Sequence, residues 1–540
     1  MLVRRNGDMF HCRVLRRLLP ALVPLFISEA SGAQRYWVGP PNGLWSDPNN
    51  WSAAPGGPGG AGVPQPLDAA VAPSGITARF DYVYAQPGIG TQNWRSPVSI
   101  TQDVPSSVMV AINEMDIPMA QPGGGTGQGS YTHGAGTVML NMNLRLGHAT
   151  NESSDIRGYY TLSGNATLNI ASALFADNGL YTQTGGLCNI NGHAELGNAF
   201  GSKPGGIAMS GGTLNVGAGG LGQNVGASTF SGGRTTIEGV LNSWFGRVTV
   251  SGGIVSAGSI ETNFASRVVQ TGGTVVANGP LRITDGGSFT YGGGSLTVGA
   301  LELSGFSQFI ISPGGDKVAR TRGMMTTGSL AKVDLSDNAA TVDYEPGSSP
   351  LSSIRSQVIS AYNNGSWTGG GIGSSLADAT TRGVGYAEAS SLNSIPSIFG
   401  AADETTVLIR LTGYGDADLS GTVNLSDFNR LAANFGQGVG AVWSQGDFNY
   451  DGRINLNDFN LLASNFGLSA TGPTVMPQDW SALASVVPEP VAVGWFGVAA
   501  SVAFCLRSRR HRALTPPQNP VEKKLPNARE SGLTRAADAL

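Results

Sequence analysis

Between residues 160 and 312 the chain alternates apolar and polar side chains in short runs, and turns built on paired glycines separate the runs. Thr184-Gly185-Gly186, Ser210-Gly211-Gly212, Ser231-Gly232-Gly233, Ser251-Gly252-Gly253 and Thr271-Gly272-Gly273 follow one another at steps of 26, 21, 20 and 20 residues. Gly164 anticipates the series and Gly292-Gly293 continues it. A short alternating strand, such as Thr213-Leu214-Asn215-Val216, comes after each pair. Period-two alternation turns one set of side chains inward. A repeat near 20 residues predicts coils that bury those side chains only by stacking, which is a parallel β-solenoid in a mainly β protein. At about 4.8 Å per layer, six or seven visible coils make a rod of roughly 30 Å, and weaker repeats upstream would about double it.

From Pro313 to Thr412 the repeat is expected to stop. Lys332–Leu335 and Ala340–Tyr344 read as strands paired around Ser336-Asp337-Asn338. Ser349-Pro350 reads as the start of a helix with Leu351, Ile354, Val358, Ile359 and Tyr362 on one face. A strand over 405–411 follows. The apolar period then becomes helical and is written twice: Leu425, Phe428, Leu431, Ala432 and Phe435 recur as Leu456, Phe459, Leu462, Ala463 and Phe466, 31 residues on.

Each helical copy is preceded by a twelve-residue loop rich in oxygen ligands. Asp416, Asp418, Ser420, Asn424 and Asp427 stand at loop positions 1, 3, 5, 9 and 12, with Gly421 at position 6. Asp447, Asn449, Asp451, Asn455 and Asp458 repeat them around Gly452. Thr422 and Arg453, at position 7, would contribute backbone carbonyls. A hard cation takes six to eight oxygens, and alternate residues around a glycine-kinked turn supply them. The expectation is two calcium ions, each facing three carboxylates. A plain Asp/Asn-rich turn is the alternative for one such loop, but duplication in register argues against it.

Residues 413 to 468 resemble a type I dockerin, the calcium module that docks onto cohesin domains. The resemblance implies that the loop residues just named bind calcium, and that a cohesin-like or other surface protein is the partner. That family usually carries small polar residues at positions 10 and 11, where this chain has Leu425-Ser426 and Leu456-Asn457.

Composition narrows the setting. Of 540 residues 80 are glycine and only 13% are charged, while 40% are hydrophobic, enough for a core. The formal charge of -4 hides a division: residues 34 to 490 carry 31 acidic and 19 basic side chains, a net of -12. That excludes nucleic acid as the expected partner. Cys188 stands alone between Cys12 and Cys505. It reads as a small buried residue, so calcium and stacking replace disulfides in stabilising the body.

Both ends carry addresses. Arg4, Arg5, Arg13, Arg16 and Arg17, the apolar run Leu18–Ile27 and Ser31-Gly32-Ala33 predict an export signal cut by signal peptidase after Ala33. Val487-Pro488-Glu489-Pro490 precedes a sixteen-residue apolar run from Val491 to Leu506 and then Arg507, Arg509, Arg510, His511 and Arg512. This order resembles a PEP-CTERM sorting signal, which implies a transmembrane helix, an exosortase-like enzyme and a place in the cell envelope. The chain continues for 28 residues beyond the basic cluster, and a simple membrane anchor is the competing expectation.

The body resembles passenger-type solenoids of bacterial surface proteins, and its opening, with Trp37, Trp45 and Trp51, is similar to theirs. These tryptophans would cover the first open coil or, alternatively, form a sugar-stacking platform. The segment around Tyr362-Asn363-Asn364-Gly365-Ser366-Trp367 resembles one that precedes dockerin-like repeats in planctomycete-type exported proteins.

Parallel β-helices include polysaccharide lyases and hydrolases, whose chemistry needs carboxylates, or acids beside a base, clustered on neighbouring coils. Asp177, Glu195, Glu238, Glu261, Asp285 and Glu302 form no such pair in the 20-residue register. Arg247 and Arg267 share the register, and His133, His148 and His193 show no metal spacing. The expected division is an export signal (1–33), a solenoid with a tryptophan-rich cap (34–312), a mixed spacer (313–412), the calcium module (413–468), a linker (469–486), the sorting segment (487–512) and a polar tail (513–540). The expected function is a non-catalytic cell-envelope structural or adhesion protein that assembles through the calcium module. The alternatives are a polysaccharide-degrading subunit tethered to a scaffold and a carbohydrate-binding surface module, with surface polysaccharide as ligand.

Overall fold

Alternation along the chain becomes three parallel sheets that share one interior. A computed structural model describes residues 33–469 and 472–473, apart from 66–67, 73–75, 84–91, 96–97, 112–114, 120–125, 149–154, 199–202, 324 and 328–329. The expected export signal, most of the linker, the sorting segment and the tail lie outside the described residues.

Register fixes the coil length. On the second sheet Ala227, Arg247, Arg267, Ser288 and Gln308 are successive Cα partners, so coils take 20, 20, 21 and 20 residues. On the third, Thr213, Arg234, Ile254, Thr274 and Ser295 stack likewise, and on the first Leu241, Ile260, Leu281 and Leu301 do. Inward positions are the apolar half of each alternation: Val248 and Val250, Val275 and Ala277, Leu281 and Ile283 are all buried. Like side chains stack from coil to coil, as with Tyr131, Tyr160 and Tyr181 at centroid spacings of 5.2 and 5.9 Å. Cys188 is buried, and burial pushes its thiol up to about 12, which removes it as a nucleophile at neutral pH.

The paired glycines form the corner between the second and third sheets. Gly186, Gly212, Gly233, Gly253 and Gly273 have φ between 67° and 78°, the left-handed region that only glycine enters freely. A Cβ on Gly253 would also lie 2.5 Å from the Gly233 carbonyl oxygen one coil below. The corner carbonyls accept from polar residues that point inward beside it: Gln183 Nε2 donates to Gly186 O at 3.2 Å and Tyr291 OH donates to Gly294 O at 2.7 Å. Gly293-Gly294, not the expected Gly292-Gly293, is the next pair, because Gly292 takes the place of Thr271 in a 21-residue coil.

Stacking continues beyond Ser312. Val318–Thr321 pairs in parallel with Thr297–Val298, and Lys332–Asp334 pairs in parallel with Gln308–Ile310 and with Gly371–Gly373. The expected pairing of Lys332–Leu335 with Ala340–Tyr344 does not form, because the two strands belong to different sheets. Ser336 (φ 48°) and Asn338, whose amide donates to Ser312 O and Leu335 O, make the segment between them a coil corner rather than a hairpin turn.

Both ends of the stack are covered. Gln34–Trp37 pairs antiparallel with Trp51–Ser52 and parallel with Ala69–Val71, and Trp37, Trp45 and Trp51 are each at most 1% exposed. Their centroids lie 4.5 to 6.3 Å apart. Buried rings cannot stack on a sugar, so these residues form the cap and not the alternative platform. At the other end Ala339–Asp343 pairs antiparallel with Thr406–Arg410, which in turn pairs antiparallel with the strand Arg382–Glu388. Helix α1 (Leu351–Tyr362) covers that end with Ile354, Val358 and Ala361, and Pro350 stands at its N-cap. Among the described residues no helix is long and apolar enough to cross a membrane.

Gly253→Ala is expected to lower the chemical-denaturation midpoint of the solenoid more than Gly347→Ala. Both residues have positive φ, worth about 1–2 kcal/mol, but a Cβ at Gly347 meets nothing within 4 Å. Equal losses would show that the coil-on-coil contact contributes nothing.

Candidate metal centre

The duplicated loops fold as duplicates. Helix α2 (Leu425–Ala433) follows the first and helix α3 (Leu456–Asn465) the second, each capped by loop position 9. Asn424 Oδ1 accepts from Ser426 N and Asn455 Oδ1 from Asn457 N, both at 2.8 Å. Asp427 and Asp458 complete the capping boxes from position 12. Val423 bonds to Gly467 and Leu468 beyond α3, while Ile454 bonds to Gly436 and Gln437 beyond α2. The two copies therefore brace one another, and Phe428 meets Phe459 at 6.3 Å between the helices.

In the first loop, Asp416, Asp418 and Asp427 bring carboxylate oxygens within 4.8 Å of one another. Asp416 and Asp427 are fully buried. The loop backbone turns its N–H groups onto them: Gly421 N lies 2.8 Å from Asp416 Oδ2, Ser420 N 3.0 Å from Asp416 Oδ1, and Ala417 N 2.8 Å from Asp427 Oδ1. Ser420 Oγ also bonds Asp416 Oδ1 and Thr422 O, at 3.3 Å each. Thr412 Oγ1 donates to Asp416 Oδ2. Gly421 carries the turn at φ 90°.

The second loop repeats the frame with less acid. Asp447 is buried; its Oδ2 accepts from Gly452 N at 3.0 Å, and its buried Oδ1 has no hydrogen-bond partner among the described residues. Asp458 Oδ1 accepts from Phe448 N at 2.9 Å and from Asn449 N at 3.2 Å. Asn449 Oδ1 accepts from Asp451 N at 2.9 Å, and Asp451 Oδ1 from Arg453 N at 2.8 Å. Asp447, Asp451 and Asp458 do not converge to the spacing of the first loop. All twelve expected residues thus line one of the two loops, and the tight group of three carboxylates is in the first.

Two arginines that reach the loops come from the spacer, and the loop spacing gave no means of finding them. Arg355, on helix α1, places Nη2 3.5 Å from Asp447 Oδ2. Arg410, buried on the strand before the first loop, donates from Nη1 to Leu419 O at 2.9 Å. Trp443 Nε1 donates to Asp416 O at 2.7 Å, and its ring lies 5.4 Å from Tyr450. Tyr450 OH donates to Val384 O at 3.1 Å and accepts from Val384 N at 3.0 Å. The module therefore shares a core with the spacer. Tyr386, Tyr414, Trp443 and Tyr450 are irregularly spaced, so no periodic signal could have found this core.

Buried like charges that converge are costly unless a cation or protons neutralise them. Burial, with Asp418 adding to it, raises the Asp416 carboxyl to about 7 despite Thr412 and Arg410. Burial and the neighbouring Asp458 raise Asp447 to about 7 as well, against Arg355. Asp427 is raised well above the ordinary carboxyl range by burial and by Asp416. Chemically the group suits a divalent cation: oxygen donors only, preset by backbone N–H groups, in a partly closed turn.

Fold and site together define a mainly β protein with stacked parallel sheets, covered at one end by antiparallel strands and a helix on which packs a helical module whose buried aspartates can hold a metal ion. Comparison of the chain with protein-family models, curated proteins and solved structures gives no match.

The pH dependence follows from the raised carboxyls. An unfolded aspartate titrates near 3.9, whereas Asp416 and Asp447 in the ion-free fold titrate near 7. The fold therefore binds more protons than the unfolded chain across that interval, and its stability falls as pH rises through it. Calorimetry of the full chain in chelator is expected to show the module less stable at pH 8 than at pH 5. Millimolar divalent cation should restore the loss at pH 8 and do little at pH 5. A chelated module that grows more stable from pH 5 to pH 8 would contradict the assignment.

Proposed function

We propose that the protein is an exported, non-catalytic component of the cell envelope, in which two calcium ions fix the paired-loop module for assembly with another surface protein. The observation that carries this reading is the convergence of Asp416, Asp418 and Asp427 within 4.8 Å, two of them fully buried. The partnerless buried Oδ1 of Asp447 supports a second ion at the other loop. Calcium suits these sites better than magnesium, since irregular carboxylate, amide and carbonyl sets at longer distances are what calcium tolerates. Asp416, Asp418, Ser420, Asn424 and Asp427, with the Thr422 carbonyl, would serve the first ion; Asp447, Asn449, Asp451, Asn455 and Asp458, with the Arg453 carbonyl, the second.

Export and sorting remain part of the proposal on sequence grounds, through the arginine-flanked apolar runs at both ends. Exposed Phe435, Val439 and Leu456 (55%, 90% and 61%) give the module apolar surface for a cohesin-like or other protein partner. Because the module shares aromatic packing with the spacer, calcium would also tighten the closed end of the rod.

Titration calorimetry tests the central claim. Two calcium ions per chain are expected at pH 7.5, falling to none in Asp416→Ala/Asp447→Ala, with the solenoid's strand signal kept. Arg355→Gln is expected to leave the first site unchanged and alter the second. No calcium uptake by the folded full chain would refute the reading. For sorting, intact-mass analysis of surface-extracted protein should give a C-terminus near Glu489; recovery through Leu540 would establish an anchor instead.

A further inference from the structure

On the corner between the first and second sheets, far along the rod from the loops in sequence, Trp244, Phe245 and Phe264 are 41%, 57% and 42% exposed. They touch one another: Trp244 and Phe264 have centroids 5.6 Å apart, and Phe245 and Phe264 stack at 5.4 Å with planes 21° from parallel. Phe306, at the same corner two coils beyond Phe264, is 73% exposed. Three large rings held together in solvent form a patch of a kind that soluble surfaces generally avoid unless it is used.

Backbone conformation singles out the same corner. Phe264 and Ala265 have φ of 49° and 61°, in the left-handed region. One coil on, the equivalent positions are Asp285 and Gly286, with φ of 50° and 85°. Glycine and aspartate enter this region at low cost and a bulky aromatic does not. The corner geometry is thus shared with the coil that follows, and the phenyl ring is an added strain that its exposure does nothing to offset. Strain of this kind gathers at binding sites.

Charge identifies what would lie there. Arg247 and Arg267 open the strands that leave these two turns, stand in register on adjacent coils and are exposed. No ion pair among the described residues engages either of them, whereas Arg282 on the neighbouring sheet is held by Glu261 and Glu302 at 3.4 and 2.8 Å. Like charges placed side by side on a sheet repel, and an anion between them reverses the sign. On the inner side of the patch Asn242 and Asn263 bond to one another at 3.2 Å and Thr284 to Asn263, adding amide and hydroxyl groups.

We propose that this corner binds an anionic polysaccharide, its sugar rings lying on Trp244, Phe245 and Phe264 and its carboxylates or sulfates against Arg247 and Arg267. The C–H faces of pyranose rings match aromatic faces, and the carboxylates or sulfates on those rings match the paired guanidiniums. The strongly acidic body disfavours nucleic acid, which offers similar chemistry but a much denser charge.

The test uses the full chain on immobilised polygalacturonate, with dextran as the neutral control, in chelator so that no calcium bridges protein and polymer. Retention on polygalacturonate and not on dextran is expected. Phe264→Gly should weaken it at least tenfold while leaving the thermal midpoint unchanged or higher, since glycine relieves the backbone; a binding loss therefore cannot be laid to unfolding. Arg247→Gln/Arg267→Gln should weaken it comparably and flatten its salt dependence. No retention of the wild type, retention that Phe264→Gly leaves intact, or stronger capture by oligothymidylate would each overturn the proposal. Retention seen only with calcium would also overturn the proposal, since a calcium bridge and not the corner would then hold the polymer, while failure of calcium uptake would leave the corner's result standing.

Discussion

Backbone hydrogen bonds between coils, running along three sheets, are the interaction on which everything else in the molecule rests. Each coil satisfies its N–H and C=O groups and buries its inward side chains only against the coils above and below. This arrangement propagates without limit and leaves an unpaired layer at both ends. The N-terminal tryptophans and the C-terminal antiparallel strands with helix α1 are answers to that one constraint. So is the position of the loop module, which is packed on the second of these covers.

That placement changes what the duplicated loops do. An isolated calcium module folds or unfolds with its metal alone. Here Tyr450 bonds Val384 through both backbone groups, and Arg355 reaches from helix α1 to Asp447. Loop charge, spacer strands and the end of the rod are thus linked in one packed unit.

The outward face obeys different rules. Most corner positions in left-handed conformation are glycine, and the stacked carbonyls below Gly253 and Gly273 leave no space for a side chain. At Phe264 the same conformation is kept with a large exposed ring. A corner that departs from the low-cost solution used by the next coil, beside two guanidiniums that no ion pair among the described residues engages, is where the rod differs from a mere spacer.

Much of this was legible along the chain. The 20-residue register, the inward alternation, helix α1 and both loop-helix copies followed from periodicity and from glycine spacing, which are local properties that neighbouring residues enforce. The grouping of Asp416, Asp418 and Asp427 was equally legible, because a turn around glycine fixes which side chains face its centre. What local pattern could not decide was pairing between distant segments. Lys332–Leu335 and Ala340–Tyr344 read as paired strands, and the strands that form there join separate sheets, since strand propensity says nothing about which edge is vacant. Trp37, Trp45 and Trp51 allowed a platform or a cap until burial settled it. Arg355, Arg410 and the shared aromatic core reached the loops only through tertiary packing, because a contact between residues 92 positions apart, as between Arg355 and Asp447, leaves no trace in spacing.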